Sequence, residues 1–413
     1  MSAPLRCDLF CTVIDNYGDA GVCWRLARQL ADEYGWRVRL FIDVPAALAA
    51  LLQTSLPPLR DEPETHDGHV IDDVIVAPWP APRANTGNGA APDTAAQVPD
   101  VVIEAFACEL PAHYVQAMAQ RERAPVWINL DYLSAEDWVK SCHLGRSPHP
   151  RLALEKTFFF PGFAPGTGGL LRERGFDRQR QAFLGDAAAR TAFWKRLDVA
   201  PPSAPTRLIT LFAYENPALA SLLAQWSRGD EDILLLVPEG RISVAVAGFF
   251  GLPAFAAGTR ARRGRLSAQA LPFIDQPAYD RLLWQADLNF VRGEDSFVRA
   301  QWAERPFVWH IYPQSDAAHL DKLDAALSAY TRGLPDAAAA AVAGFWRAWN
   351  GATCAGGASP DTTCAPASVA PDWQAWRRSD AALRAHARPW VDTLRQAGSL
   401  AANLAELVES RLK

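Results

Sequence analysis

Asp8-Leu9-Phe10-Cys11-Thr12-Val13-Ile14-Asp15-Asn16-Tyr17-Gly18-Asp19-Ala20-Gly21-Val22-Cys23-Trp24-Arg25-Leu26-Ala27-Arg28-Gln29-Leu30 reads as an apolar run, a polar turn and a helical repeat. The run Cys7–Ile14 has the length of a strand, and apolar residues recur at helical spacing over Ala20–Glu33. A strand feeding directly into a helix is the first unit of an open α/β sheet. Its loop lies at the carboxyl end of the strand, where such sheets bind ligands. Gly18 and Gly21 let a ligand come close to the backbone. Asp15 and Asp19 place two carboxylates at the tip, more negative charge than a phosphate cradle needs, so chemistry is expected here. The same aspartates also suit a turn and a helix cap.

Outward from this loop, strand-like and helix-like segments alternate. Strands are predicted at Arg37–Ile42, His69–Val76, Asp100–Ala105 and Pro125–Leu130, with helices at Pro45–Leu52 and Pro111–Gln120. Pro80–Val98, rich in Ala, Pro, Asn, Thr and Gly, reads as a mobile surface insertion. The alternation restarts after the polar stretch Arg172–Gln181. Further strands are expected at Arg207–Ala213, Ile233–Val237, Leu271–Ile274, Leu288–Arg292 and Phe307–Tyr312. Two α/β units in tandem follow, the first spanning 1–175 and the second 176–389. Gly351–Ala370 reads as a loop. Pro389–Leu412 has helical spacing at Val391, Leu394, Leu400, Leu404 and Leu407, and is expected to cross back to the first unit.

A second constellation lies at Asp287-Leu288-Asn289-Phe290-Val291-Arg292-Gly293-Glu294-Asp295-Ser296-Phe297-Val298-Arg299. A strand ends at Arg292, Gly293 permits a tight turn, and Asp295 or Ser296 can cap the next helix. The bland reading is an ordinary capped β-α turn. The sharper one is an anion site, with free N–H groups at the helix N-terminus and a bidentate contact from Arg292. Phe273 and Gln276 can flank a nucleobase or simply pack. Tyr214 follows a strand, and Asn216-Pro217 suits a turn. Gly166-Thr167-Gly168-Gly169 lacks the Gly-Lys-Ser/Thr ending of a P-loop and reads as a hinge or turn. His143 and His149 have no carboxylate at ligand spacing and read as structural.

Composition narrows the function classes. With 413 residues, two domains are expected. At 49% hydrophobic residues the chain can fill sizeable cores, and most of its 15 tryptophans should be buried. A net charge of −5 provides no basic field for nucleic acid. No run approaches the ~18 apolar residues of a membrane span, and no signal peptide is evident at the N-terminus. Seven cysteines at irregular spacing, without a Cys-x-x-Cys pair, read as reduced thiols in a cytoplasmic protein, with no metal site expected.

At several of these residues the chain resembles the bacterial family of protein-arginine rhamnosyltransferases that modify translation elongation factor P. The resemblance runs through Phe10–Asp19, Ile103–Pro111, Asn129–Glu136, Gly168–Glu173, Arg292–Gln301 and Trp309–Gln314. It implies a GT-B glycosyltransferase, with two Rossmann-like domains facing a central cleft. It further implies transfer of L-rhamnose from dTDP-β-L-rhamnose to an arginine nitrogen of elongation factor P, with inversion and without metal or other cofactor. The modified factor then rescues polyproline-stalled ribosomes. By position, Asp15 and Asp19 would be catalytic, joined by Glu294. Asn16, Tyr17 and Gly18 would contact the donor, together with Tyr214, Phe273, Gln276, Arg292, Gly293, Glu294, Asp295 and Ser296. The fold alone also admits a transferase acting on a small-molecule or glycan acceptor, or a non-catalytic binding protein. Intact Asp15 and Asp19 argue against the last. Of the two, Asp19 is assigned as base and Asp15 as the group that orients the guanidinium.

Overall fold

The computed structural model describes residues 3–15, 17–53, 68–79, 98–202, 204–314, 317–352 and 370–413. They form two compact units, Met1–Arg174 with Thr393–Lys413, and Gly175–Asp392. Most of Pro80–Val98 and of Gly351–Ala370 lies outside the described residues.

The first unit runs through β1 (Arg6–Cys11), α1 (Tyr17–Tyr34), β2 (Arg37–Ile42), α2 (Pro45–Leu52), β3 (His69–Ile71), β4 (Val74–Pro78) and β5 (Val101–Ala105). It continues with α3 (Ala112–Ala119), β6 (Val126–Leu130), α4 (Trp138–Cys142), β7 (Arg146–Pro148) and β8 (Glu155–Phe159). Its sheet has the order β3-β4-β2-β1-β5-β6-β8-β7. The six inner strands are parallel, and β3 and β7 pair antiparallel at the edges. The order reverses between β1 and β5. Buried on both faces, these strands carry near-continuous apolar runs, as parallel sheets require. The buried charge in β1 is matched. Asp8 accepts two bonds from Arg39, at 2.7 and 2.6 Å, and one from the Tyr114 hydroxyl.

The second unit runs through α5 (Phe176–Gly185), α6 (Ala187–Arg196), β9 (Arg207–Leu211), α7 (Leu219–Arg228), β10 (Ile233–Pro238), α8 (Ser243–Phe250), β11 (Arg260–Arg263) and β12 (Leu266–Leu271). It continues with α9 (Gln276–Gln285), β13 (Leu288–Arg292), α10 (Asp295–Trp302), β14 (Phe307–His310), α11 (Ala318–Tyr330), α12 (Asp336–Trp349) and α13 (Trp373–Arg395). The order is β11-β12-β10-β9-β13-β14, parallel except for β11, and it reverses between β9 and β13. Two such doubly wound sheets in one chain are the architecture of the GT-B class. Tryptophans fill much of this unit: Trp226, Trp302, Trp346, Trp349 and Trp376 are almost fully buried.

The chain closes with α14 (Leu400–Leu412), which packs on α1 and β6 of the first unit. The glycine-rich loop explains how it is held. Gly169 has a φ of +74°, and a Cβ there would stand 2.5 Å from the Gly398 carbonyl oxygen. Only glycine allows this approach, and Leu170 and Leu400 then exchange backbone bonds with Gly398 and Leu170. The Gln29 amide on α1 donates to the Arg172 carbonyl at 2.7 Å. The loop is therefore a turn that pins the C-terminal chain.

Several boundaries differ from those predicted. His69–Val76 is not one strand but the hairpin β3-β4, turning at Asp72 and Asp73, both at positive φ. Leu271 ends β12 rather than starting a strand. β1 stops at Cys11, three residues before Ile14. Pro389–Leu412 is split, with Pro389 inside α13 and a break at Gly398 before α14.

One buried ion pair fixes the direction of α10. The Arg299 guanidinium donates to Asp280 of α9 at 2.9 and 2.7 Å and lies 4.3 Å from the Phe176 ring. Both charged groups are almost fully buried. Asp280→Ala removes the carboxylate from the buried guanidinium and should cost about 3–5 kcal/mol, read as a lowered thermal midpoint by calorimetry. A change below about 1 kcal/mol would show that Arg299 finds another partner.

Candidate active site

The loop after β1 sits at the switch point of the first sheet, with β2 on one side and β5 on the other. Asp19 lies in the first turn of α1 and is only 2% exposed. Its Oδ2 accepts the backbone N–H groups of Ile14 and Asp15 at 2.7 and 2.8 Å. The side chain thus reaches back from the helix and holds the loop rather than capping α1. Among the described residues, Oδ1 accepts no bond. Burial raises the carboxyl's pKa above its ordinary value; the two N–H bonds oppose this and the nearby charge of Asp43 adds to it. A carboxylate so placed takes up a proton more readily than one in water.

Asp15 is half-buried beside it, and its carbonyl accepts the Gly18 N–H at 2.6 Å. A Cβ on Gly18 would come within 2.7 Å of Asp15 Oδ2. Glycine at this position is what leaves room for the Asp15 carboxylate. Gly18→Ala should therefore displace that carboxylate and lower kcat about 10- to 100-fold with little change in melting temperature. A variant with wild-type turnover would show that Asp15 moves without consequence. Tyr17 is half-buried at the start of α1, and Asn16 lies outside the described residues.

Asp43 was not singled out in the sequence. It follows β2, accepts the Val13 N–H at 2.9 Å, and donates its own N–H to the Cys11 carbonyl at 3.3 Å. A polar residue at the end of the strand beside β1 was the available signal. Behind the loop Cys7, Cys11, Cys23 and Cys108 are buried free thiols, and Cys142 is exposed; Cys354 and Cys364 lie outside the described residues. His143 and His149 accept backbone N–H bonds through Nδ1 and are structural.

In the second unit the switch point lies between β9 and β13: Tyr214 follows β9, and Arg292, Gly293, Glu294, Asp295 and Ser296 lie at the end of β13, whereas Phe273 and Gln276 follow β12. Arg292 is 6% exposed, yet among the described residues its guanidinium has no carboxylate partner. It lies against two aromatic rings instead, 4.5 Å from that of Phe212 and 4.8 Å from that of Tyr214. Phe212 was missed, although its spacing of two from Tyr214 at a strand end puts both on one face. A desolvated cation clasped by two aromatic rings at a strand end is suited to a multiply charged anion.

Gly293 makes the turn at a φ of +56°, with its carbonyl held by the Trp309 indole N–H at 2.7 Å. The residue preceding α10 is Glu294, half-buried and making no side-chain cap bond. Neither Asp295 nor Ser296 occupies the capping position. Ser296 accepts the Arg292 backbone N–H at 3.0 Å and donates to the Arg292 carbonyl, so its hydroxyl locks the strand end to the helix. Asp295 accepts a bond from the Gln276 amide at 3.0 Å, which ties α9 to α10. Phe273 is half-buried in the loop before α9, whose N-terminus is capped by Asp275. Asn216 is a turn residue: its Oδ1 accepts the Ala218 N–H and its amide donates to the Trp349 carbonyl.

Comparison with known proteins gives this arrangement a family. The description "Elongation-Factor P (EF-P) rhamnosyltransferase EarP" matches residues 7–409. The chain belongs to the EarP family. A protein-arginine rhamnosyltransferase of Pseudomonas aeruginosa is 46% identical, with 97% of each chain covered. One of Shewanella oneidensis is 37% identical, again with 97% of each covered. A solved structure described as the structural basis for EarP-mediated arginine glycosylation of translation elongation factor EF-P superposes with a TM-score of 0.66 at 33% identity. It covers 98% of this chain and 99% of the other. Both switch-point loops lie within the stretch matched by the EarP family. Among the described residues no cluster of three or more His, Cys, Asp or Glu could hold a metal ion, and no helix is long and apolar enough to cross a membrane.

Proposed function

We propose that this protein transfers L-rhamnose from dTDP-β-L-rhamnose to an arginine side chain of elongation factor P, with inversion and without a metal, in the cytoplasm where that factor works. One coincidence carries the reading. Similarity to protein-arginine rhamnosyltransferases over 97% of the chain meets a buried carboxylate and a buried arginine with no carboxylate partner among the described residues, at the switch points of the two sheets.

The chemistry requires a guanidinium with a pKa above ~12 to act as a nucleophile. Asp15 is assigned to orient and polarise it by charge-assisted hydrogen bonds. The nitrogen attacks the anomeric carbon as the bond to the diphosphate oxygen breaks, and that electron pair leaves on dTDP. The attacking nitrogen gives its proton to Asp19, whose burial favours the protonated product. A single displacement converts the β-linked donor to an α-linked product. Negative charge develops on the departing diphosphate, and Arg292 with the α10 N-terminus is suited to hold it without a metal. Phe273 and Gln276 are assigned to the nucleobase, and Glu294 to the reacting end of the donor.

Intact-mass spectrometry of elongation factor P, incubated with this protein and dTDP-β-L-rhamnose in EDTA, tests the proposal. A gain of one deoxyhexose that maps to arginine is expected. No gain, with dTDP still bound by titration, would point to a different acceptor. Transfer only after a divalent metal is restored would overturn metal independence.

A further inference from the structure

β1 ends at Cys11 and α1 begins at Tyr17, so residues 12–16 cross the first switch point outside regular structure. Three consecutive N–H groups of this segment go to side-chain carboxylates. Asp43 Oδ1 takes that of Val13 at 2.9 Å, and Asp19 Oδ2 takes those of Ile14 and Asp15 at 2.7 and 2.8 Å. The two aspartates come from different elements. Asp19 belongs to the first turn of α1, and Asp43 is the residue after β2.

Asp43 is itself well anchored. Cys11 and Ile42 are registered partners, and the Asp43 N–H donates to the Cys11 carbonyl at 3.3 Å, one step beyond the end of the ladder. Pro45 opens α2 two residues later. The Asp43 side chain thus reaches from a short, pinned segment and ties Val13 to β2. A bond to a charged acceptor is roughly twice as strong as one between neutral groups. Without it the loop would be held through the grip of Asp19 and the turn at Gly18. The Asp15 carboxylate, and the two N–H groups that Asp19 grips, lie within two residues of Val13. A misplacement of about 1 Å there is enough to cost turnover.

We propose that Asp43 is a positioning residue for sugar transfer, whose carboxylate clamps the aspartate loop to β2 by way of Val13. This rests on the reading above of Asp19 as base and Asp15 as the orienting group. A second effect accompanies the clamp. Titratable groups surround Asp19 on several sides: Asp15 and Tyr17 on its own loop and helix, Cys11 of β1, Cys23 one turn further along α1, Cys108 after β5, and Asp43 after β2. Burial raises the Cys23 and Cys108 thiols, so both stay neutral. The Asp43 charge adds to the burial that raises the Asp19 carboxyl. Clamp and charge therefore come from one side chain and are separable by substitution.

Asp43→Asn keeps an oxygen for the Val13 N–H and removes the charge, whereas Asp43→Ala removes both. Asp43→Ala is expected to lower kcat about 10- to 100-fold, with KM for dTDP-β-L-rhamnose within about twofold of wild type. Asp43→Asn should recover most of kcat. Its acid limb of kcat/KM should move to lower pH, because a nearby negative charge no longer opposes ionisation of Asp19. Wild-type kcat in Asp43→Ala would overturn the proposal. So would a kcat in Asp43→Asn as low as in Asp43→Ala, since charge alone would then account for the loss. An unmoved acid limb in Asp43→Asn would overturn the coupling to Asp19. Normal turnover by Asp19→Asn, or no transfer by wild type, would instead remove the reading on which the proposal rests. The clamp is then decided without substrate, by exchange of the Val13 amide in protein labelled with nitrogen-15 valine. Exchange about 10-fold faster in Asp43→Ala, and unchanged in Asp43→Asn, supports it. Equal exchange in all three proteins overturns it.

Discussion

Asp19→Asn is expected to lower kcat by about 10³-fold while donor affinity and fold persist. The amide oxygen can still accept the Ile14 and Asp15 N–H groups, so the loop keeps its shape. What is lost is the capacity to accept a proton. The variant should also melt no lower than wild type. Burial raises the folded-state pKa of Asp19, so the folded protein favours its protonated form. The stabilisation that accompanies protonation is full below the unfolded pKa and is lost as pH rises through the folded one. At neutral pH the ionised side chain therefore costs stability, and the neutral amide removes that cost. The same shift sets the pH profile. Activity needs the ionised base, so the acid limb of kcat/KM should lie above the ordinary Asp value of about 3.9 and should vanish from the residual activity of the variant. Single-turnover assays, dTDP titration and calorimetry on one preparation would check all three. Normal turnover by Asp19→Asn would place the base elsewhere, with Asp15 the next candidate.

Arg292→Met is expected to separate stability from function. Methionine can occupy the slot between Phe212 and Tyr214, replacing a desolvated cation that has no carboxylate partner among the described residues. The aromatic contacts return only part of the cost of burying that charge. The melting temperature should hold or rise. Donor affinity should fall about 100-fold or more, because the two charge-assisted bonds proposed between Arg292 and phosphate oxygens would be lost together. Arg292→Lys should restore little, since an ammonium cannot offer the bidentate fork or stack as a plane. Unchanged dTDP affinity in Arg292→Met would remove the residue from the donor site. A large drop in melting temperature would mean that the ring contacts, rather than a ligand, keep the arginine there.

Several elements were legible to the residue because short-range chemistry sets them. β2, α2 and β13 coincide with their predicted bounds. Elsewhere local signals misled. Apolar residues stand on both sides of Asp72-Asp73, so a hairpin turn with no glycine or proline read as unbroken strand. Pro389 looked like a helix start, but it lies within α13. The real break is at Gly398, whose positive φ is not visible in composition. Ser296 looked like a cap because serine so often is one. Its hydroxyl is instead spent on the Arg292 backbone, a contact that depends on how the turn closes.

From sequence alone came the two α/β units, the aspartate loop, the Arg-Gly-Glu-Asp-Ser turn and the family resemblance. Each of these is written in residues close together in the chain. Tertiary structure decided which of those residues are buried and what they touch. Strand order brings β9 beside β13, and only then does Arg292 acquire its aromatic clasp and His310 its position beside it. It also brings β2 beside β1, so that the Asp43 charge acts on Asp19. Periodicity reports the face a residue presents and not the strand that will lie next to it. The desolvation and charge that shift Asp19 and His310 come from those neighbours.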